Sequence, residues 1–256
     1  MRLSLLRNPR YASVIFIVSV VGGVYYGVIY LIPQFLGTIA GYNAEQSGWI
    51  ALISGVPAFL VMPLLPRLLG KFDFRVLELF GLACFVWSCF LDAHLTAQSA
   101  GHDFVLSQLV RGSGQMLVFM PLNQASMAAV SREESGDAAG IYNMARNLGG
   151  SMGLAIIGTL IDRRDTFHTA MIRESLSANS TLGQDRLAAM AAGWLARTGD
   201  AAYAHLRALG QLAAEIRRQA LVMTYSEVFF LLGVALLCCM PLALLQKHDE
   251  VRAKWQ

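Results

Sequence analysis

Two arginines lie in stretches of sequence that carry no other charge. Arg111 lies within residues 104–131 and Arg146 within residues 138–161. An arginine at the centre of a bilayer costs ~2.5–3.5 kcal/mol even on the lenient insertion scale, so each must pair, reach the interface or face a wet cavity. For Arg146, with Asn143 one turn away on the same helix face, a cavity wall or gate and an interhelix hydrogen bond are equally good interpretations.

The surroundings of Arg111 favour the structural interpretation. Gly112 and Gly114 follow it and leave room for its side chain to pack between helices. We therefore expect Arg111 to fix two helices together, while a functional role in a cavity or gate stays open.

Polar aromatic and amide side chains form a second group of candidates. Tyr26, Tyr30 and Gln34 are spaced four residues apart and share one helix face, and Asn123 and Gln124 lie in a later apolar stretch. Such a stripe can line a site for bulky amphipathic molecules. The alternative is an aromatic belt at the membrane interface, which suits Tyr30 and Gln34 better than the deeper Tyr26.

Acidic residues and catalytic motifs give weaker signals. We expect Glu78, Asp92 and Glu227 to lie at the membrane interface. Asp92, His94, His102 and Asp103 surround one connection, but their spacing is unspecific, so we predict no metal site. No nucleophile elbow, phosphate loop or HExxH motif occurs, so we predict neither a cofactor nor an enzyme.

The elements that position these residues are apolar helices. Hydrophobic residues make up 55% of the 256 residues and charged residues 14%, whereas soluble domains carry ~25% charged residues. A helix needs about 20 mostly apolar residues to cross a bilayer. The sequence therefore predicts an all-α membrane protein, and the modest net charge of +3 without a long basic run argues against nucleic-acid binding.

The apolar stretches predict six transmembrane helices in a single domain, residues 1–256, and one long connection at 162–218. Within that connection, apolar residues at helical spacing near 187–195 and 206–216 predict two amphipathic helices. We favour their capping the bundle or lying on the membrane surface over their forming a docking surface for another protein. The helices are predicted at 12–36, 47–67, 74–95, 104–130, 137–161 and 219–246.

The basic residues predict the orientation. Segment 1–10, the connection after the second helix and the C-terminal segment carry Lys and Arg, whereas the short connections 37–46 and 96–103 carry none. Short basic connections stay in the cytoplasm. Both termini are therefore expected to be cytoplasmic and connection 162–218 extracytoplasmic.

Several motifs, taken together, resemble one transporter family. Residues 143–153, NMARNLGGSMG, are similar to the Asn-x-x-Arg-x-Leu-Gly-Gly-Ser-x-Gly signature of EmrB/QacA-type drug:proton antiporters, the fourteen-helix branch of the major facilitator superfamily. Residues 111–115, 41–48 and 70–75 also resemble motifs of that branch, in the same order. The resemblance covers nearly the whole chain and matches the C-terminal half of such proteins.

The resemblance implies a fold and a role. The fold is the six-helix half of a major-facilitator transporter, and the role is export of hydrophobic, often cationic compounds against a proton gradient across the bacterial inner membrane. The implied partners are the lipid bilayer, an N-terminal transporter half, the hydrophobic substrate and, for some members, a periplasmic adaptor.

The resemblance also assigns roles to residues. It places the first and fourth helices at the substrate cavity, which favours Tyr26 and Asn123 and makes Glu227 peripheral. Tyr30 and Gln124, on the same two helices, complete the set of cavity candidates. The cytoplasmic loop motif comprises Gly70, Lys71, Asp73 and Arg75. The candidates for helix packing or gating are Arg111, Gly112, Gly114, Asn143, Arg146, Gly149, Gly150 and Gly153.

The resemblance leaves one large departure, because nothing in the sequence repeats the N-terminal half with its proton-coupling residues. The expectation is a truncated or split exporter that needs an N-terminal half. The alternative is a membrane interaction protein or gene remnant that docks to another transporter or adaptor without transporting.

Overall fold

The computed structural model describes residues 3–175 and 181–244, except the side chains of residues 3, 132 and 182. Within these ranges the chain forms α-helices, short 3-10 turns and no strand. The helices are α1 (Pro9–Thr38), α2 (Ala44–Ile53), α3 (Gly55–Val61), α4 (Leu65–Lys71), α5 (Phe74–Asp92), α6 (Phe104–Ala128), α7 (Ser135–Ser175), α8 (Thr181–Thr198) and α9 (Ala201–Leu244).

Polar side chains fix the starts of several helices. Asn8 accepts a hydrogen bond from a first-turn N–H of α1, and Asp73 does the same for α5. At α2, the side chain of Asn43 accepts from the Gln46 N–H at 2.8 Å, while the Gln46 side chain accepts from the Asn43 N–H at 3.0 Å. These caps satisfy amide groups that the first helical turn leaves without partners.

The second predicted span is not one helix. The chain from 47 to 67 breaks at Ser54 and again at residues 62–64, and the axis bends by 53° between Ala44–Val61 and Leu65–Lys71. Pro57 has no N–H to offer the carbonyl four residues earlier, and Pro63 and Pro66 act likewise further along. α2, α3 and α4 together therefore replace the predicted continuous helix.

The helices on either side of the predicted 162–218 connection continue into it. α7 ends at Ser175 rather than 161, and α9 begins at Ala201 rather than 219. The apolar stretch marks where a membrane would end, but residues 162–175 contain no Gly or Pro to stop the helix.

The expectation that the amphipathic segments cap the bundle or lie flat on the membrane is therefore wrong for residues 206–216. They form part of the same 44-residue helix as the last span. At 1.5 Å per residue α9 is about 66 Å long, roughly twice the hydrocarbon thickness, so one end must project from the bilayer. α8 packs against α9, and α9 packs against α7. The end of α7, α8 and the start of α9 together form a projecting hairpin, the α7–α9 hairpin.

Length and composition identify fewer spans than the six that we predicted. Among the described residues, α1, α5 and α9 are long and apolar enough to cross a membrane, and the bent unit α2–α4 makes a fourth if counted as one span. α6 and α7 are long enough at 25 and 41 residues. Their mean hydropathy is lower because they contain many polar and small residues, among them Gln108 and Arg111 on α6 and Arg146 on α7.

α1 lies at the centre of the bundle. It packs against α2, α6, α7 and α9, while α5 packs against α6 and α9. Its side chains Ile17, Val18, Val28 and Leu31 are fully buried. Around α1, aromatic rings such as Phe35 and Phe104 pack edge to face at 5.6 Å.

Glycines bring the backbones of α1 and α7 together. A β-carbon on Gly23 would lie 3.0 Å from the carbonyl oxygen of Gly149, and one on Gly153 would lie 2.6 Å from the α-carbon of Gly23. A β-carbon on Gly149 would overlap the Ser19 carbonyl. Any side chain at these positions forces the two helices apart.

Replacing Gly149 with alanine is therefore expected to destabilise the bundle. The added methyl group meets backbone atoms that cannot rotate away, and overpacking of this kind costs ~1–3 kcal/mol. The matched control on the same helix is Gly158→Ala, where a β-carbon meets nothing within 4 Å. Thermal unfolding in detergent tests this. Equal midpoints for Gly149→Ala and Gly158→Ala would contradict the packing assignment.

Candidate functional site

A groove of about 420 Å³ opens between the broken second helix and the bundle. Most of its wall is apolar. Tyr25 and Gln115 supply polar groups at its inner side, where the Gln115 amide donates to the Tyr25 hydroxyl at 3.1 Å. The other lining residues are Gly48, Ala51, Leu52, Ser54, Gly55, Ala58, Phe59, Met62 and Met116.

An aromatic cluster continues inward from the groove. The Tyr25 ring lies edge-on to Phe119 at 5.5 Å and to Tyr26 at 5.7 Å between centroids. The Tyr26 hydroxyl donates to the Asn147 side chain at 3.2 Å. The Tyr26 ring also covers Gly150, where a β-carbon would collide with it. The cluster thus joins α1, α6 and α7 beside the groove.

Arg146 lies next to this cluster. Its guanidinium stands 5.6 Å from the centroid of the Phe119 ring, a cation–π arrangement. Its Nε is buried and lacks a hydrogen-bond partner among the described residues, and the same holds for the side-chain oxygen of Asn123. The structure records no hydrogen bond between Arg146 and Asn143; the Asn143 amide nitrogen donates to the Ala139 carbonyl at 3.0 Å instead. Arg146 therefore keeps hydrogen-bonding capacity inside the bundle.

Each of the three guanidinium nitrogens of Arg111 has a partner. Its guanidinium pairs with the Asp92 carboxylate and donates to the Gln108 side chain at 2.9 Å and to the Ser88 hydroxyl at 3.3 Å. Arg111 is only 3% exposed and Asp92 only 2%. The expectation that Asp92 reaches the interface was wrong, because its charge is neutralised within the protein.

Glu227 also forms a cluster that the sequence did not reveal. Its carboxylate binds the Arg164 guanidinium at 3.2 Å and the His168 ring at 3.0 Å. The three side chains link α7 to α9 where the projecting hairpin leaves the bundle. Glu78, also expected at the interface, is fully buried.

Comparison with known proteins gives the family. The Major Facilitator Superfamily profile matches residues 2–154, more than half of the chain. The chain belongs to the major facilitator superfamily. This assignment agrees with the all-helical fold and with the resemblance carried by residues 143–153.

Named relatives of this major facilitator chain include drug-resistance proteins. It is 28% identical over 91% of its length to colistin resistance protein EmrB of Acinetobacter baumannii and 26% identical over 90% to multidrug export protein EmrB of Escherichia coli K12. It is 30% identical over 63% to multidrug resistance protein Stp of Mycobacterium tuberculosis. It spans 45%, 43% and 30% of these relatives, respectively.

The remaining cavity candidates of this major facilitator chain lie apart from the groove lining. Tyr30 is 39% exposed, one helical turn beyond Tyr26. Gln124 is half-buried on α6, next to Asn123. The groove instead uses Tyr25 and Gln115. Gln115 lies one turn from Arg111 on α6, and that spacing was the available signal for it.

The packing and loop residues fall into two groups. A β-carbon on Gly112 would overlap the Ser54 carbonyl, and one on Gly114 would lie 2.8 Å from the Gly81 carbonyl oxygen, so both hold α6 close to its neighbours. Gly70 and Lys71 are exposed at the end of α4, and Asp73 caps α5. Arg75 lies 5.9 Å from the Phe74 ring centroid.

No cluster of three or more His, Cys, Asp or Glu side chains capable of holding a metal occurs in the described ranges. The four residues that surround the α5–α6 connection have separate roles. Asp92 pairs with Arg111, the His94 ring contacts the Phe90 carbonyl at 2.8 Å, and the His102 ring lies 3.4 Å from the Asp103 carboxylate.

Asp92→Asn is expected to destabilise the bundle, because Arg111 would keep a buried charge without a counter-charge. Removing one partner of a buried pair costs ~3–5 kcal/mol, whereas replacing both partners is often close to neutral. We therefore expect Asp92→Leu/Arg111→Met to be more stable than Asp92→Asn. Thermal unfolding of both variants in detergent tests this. A higher unfolding midpoint for Asp92→Asn than for the double variant would show that Arg111 does not need a counter-charge.

Proposed function

We propose that this chain forms one wall of the translocation pathway of a drug exporter of the major facilitator superfamily. The groove lined by Tyr25, Gln115 and apolar side chains carries the proposal. An apolar concave surface with a few neutral polar groups suits bulky hydrophobic compounds, including lipophilic cations. The names of the relatives, multidrug export protein among them, support the same class of substrate.

We propose that an N-terminal half supplies the opposite wall. The groove is open on one side, where Leu52, Phe59 and Met62 are 62%, 78% and 59% exposed. The chain also spans less than half the length of the relatives named above. A second six-helix unit placed against this face would enclose the groove.

We assign proton antiport to the two halves acting together, with the coupling carboxylates in the N-terminal half. In this chain Asp92 is held by Arg111 and Glu227 by Arg164 and His168. Both carboxylates already serve in ion pairs that join helices of this chain, so we look for the coupling site in the other half.

We place the assembly in the bacterial inner membrane with both termini in the cytoplasm. Arg7, Arg10, Arg67 and Lys71 cluster at one end of the bundle, and the turns at the opposite end lack basic residues. The C-terminal basic residues lie outside the described range. This orientation points the α7–α9 hairpin to the periplasm, where an adaptor protein can reach it.

Dye efflux tests the proposal. The chain is expressed alone and together with an N-terminal half from a fourteen-helix relative, and energy-dependent efflux of a lipophilic cationic dye is measured. We expect efflux only with both halves. Efflux from this chain alone would indicate a self-assembled half-transporter. Absence of efflux in both cases, with normal membrane insertion, would favour the interaction-protein alternative.

Arg146→Ala is expected to abolish efflux by the two-half assembly while membrane levels hold. The substitution removes the unsatisfied buried donor and the charge over Phe119, both beside the groove. The matched control is Arg163→Ala, which removes an exposed arginine further along α7. Equal efflux from both variants would rule out a role for Arg146 in transport.

Gly55→Phe tests the groove directly. Gly55 lines the groove, and a β-carbon there meets nothing within 4 Å, so a phenylalanine side chain starts in open space and takes up part of the groove volume. We expect normal thermal stability with reduced efflux, most strongly for the bulkiest dyes. Gly158→Phe, also at an open position but away from the groove, is the control. Efflux equal to wild type from Gly55→Phe would show that substrate does not pass through the groove.

A further inference from the structure

The break in the second helix leaves the Ile50 backbone carbonyl without its helical partner. In a continuous helix the Ile50 carbonyl would accept from the Ser54 N–H, but that N–H bonds to the Ala51 carbonyl at 3.3 Å. In a bilayer no water is available to satisfy such a group. The Gln108 amide of α6 satisfies it by donating to the Ile50 carbonyl at 3.3 Å.

Arg111 determines which way the Gln108 amide faces. A glutamine amide has one accepting oxygen and one donating nitrogen. The oxygen accepts from the Arg111 guanidinium at 2.9 Å, so the nitrogen is directed to Ile50. Gln108 is 4% exposed, so water does not compete for either contact. If Arg111 were absent, the amide could rotate and present its oxygen to the carbonyl.

The Asp92 carboxylate fixes Arg111 in turn. The ion pair joins the end of α5 to α6 and is the contact that fixes the guanidinium, while the Ser88 hydroxyl makes only a longer contact at 3.3 Å. The chain of contacts therefore runs from a carboxylate on α5, through a guanidinium and an amide on α6, to the backbone of α2.

The same stretch of α6 touches the break at a second point. Gly112 lies so close that a β-carbon would overlap the Ser54 carbonyl and come within 2.7 Å of the Pro57 ring. Gly48, Ala51 and Leu52 line the groove before the break, and Gly55, Ala58 and Phe59 line it after. The way in which the break between α2 and α3 packs against α6 therefore sets the shape of the groove wall.

We propose that Gln108, oriented by the Arg111–Asp92 ion pair, is a positioning residue for transport that holds the broken second helix at the groove. The inference deepens the proposed function and rests on it, because the groove must be the substrate pathway for the position of its wall to matter. Gln108 itself does not line the groove and acts through α2.

The variant that isolates this role is Gln108→Glu. An ionised glutamate has nearly the same size and still accepts from Arg111, but it cannot donate to the Ile50 carbonyl. Gln108→Met removes both contacts at similar length. Ser88→Ala is the matched control, because it removes a different contact of the same guanidinium that does not lead to α2.

Electron paramagnetic resonance gives a readout that is independent of transport. In a background with the four cysteines replaced by alanine, spin labels at Leu52 and Ile156 report on the position of α2 relative to α7, and both sites are exposed. The control pair, Ile156 and Leu237, excludes α2. The full chain is measured in lipid nanodiscs as wild type and as each variant.

We expect the main peak of the Leu52–Ile156 distance distribution to shift or broaden in Gln108→Glu and Gln108→Met and to stay in place in Ser88→Ala. The control pair should not change. An unchanged Leu52–Ile156 distance in both Gln108 variants overturns the inference. So does an equal change in Ser88→Ala, because the effect would then reflect general loosening of the buried network.

Efflux with an N-terminal half separates this inference from the proposed function. Loss of efflux in Gln108→Glu alongside retained efflux in Ser88→Ala supports the positioning role. If the wild-type assembly shows no efflux while the Gln108 variants displace α2, the proposed function fails and the structural coupling stands. If wild type is active and Gln108→Glu matches it in efflux, the positioning role fails alone.

Discussion

The backbone contact between α1 and α7 determines how the other helices are arranged. Helices in lipid gain no hydrophobic energy from each other, so their association depends on close packing. Gly23, Gly149 and Gly153 allow the two backbones to touch. This contact places Tyr26 against Gly150 and Asn147, and it brings Arg146 to the Phe119 ring. The aromatic cluster beside the groove therefore depends on residues that carry no functional group.

A second constraint is that polar groups within the bundle must find partners inside the protein. The Arg111–Asp92 pair and the Gln108–Ile50 hydrogen bond follow this rule, and they lie side by side on α6. Arg146 Nε and the Asn123 oxygen have no such partner among the described residues. The contrast separates the two arginines, since Arg111 fixes helices and Arg146 borders the proposed pathway.

The apolar stretches were sufficient to predict the helical class and the positions of most helices. They could not predict where α7 and α9 end outside the membrane. Hydropathy shows which residues favour lipid over water, but it does not show where a helix stops. They also missed the break at Ser54, although Pro57 and Pro63 were visible in the sequence. Proline inside a span can kink a helix or be accommodated by neighbours, and only the packing of α6 decides which.

The partner of Arg111 could have been predicted with one more step. Side chains on a helix tilt toward its N-terminus, and the N-terminus of α6 lies beside the C-terminal end of α5, where Asp92 is found. The groove was harder to predict, because Tyr25 and Gln115 become neighbours only when α1 packs on α6. No spacing within either helix reveals that pairing.

The long helices α7 and α9 have a mechanical consequence. Each runs without interruption from the membrane core into the projecting hairpin, and Arg218 ties α9 to the Ile39 and Ala97 carbonyls at the point of exit. Residues 201–217 of α9 beyond this point form an arm of about 25 Å. A tilt of about 5° of α9 at Arg218 would displace the tip of this arm by about 2 Å. Because α7 is continuous from the hairpin to Gly149 and Gly153, a displacement of the tip would also reach the glycine contact between α7 and α1.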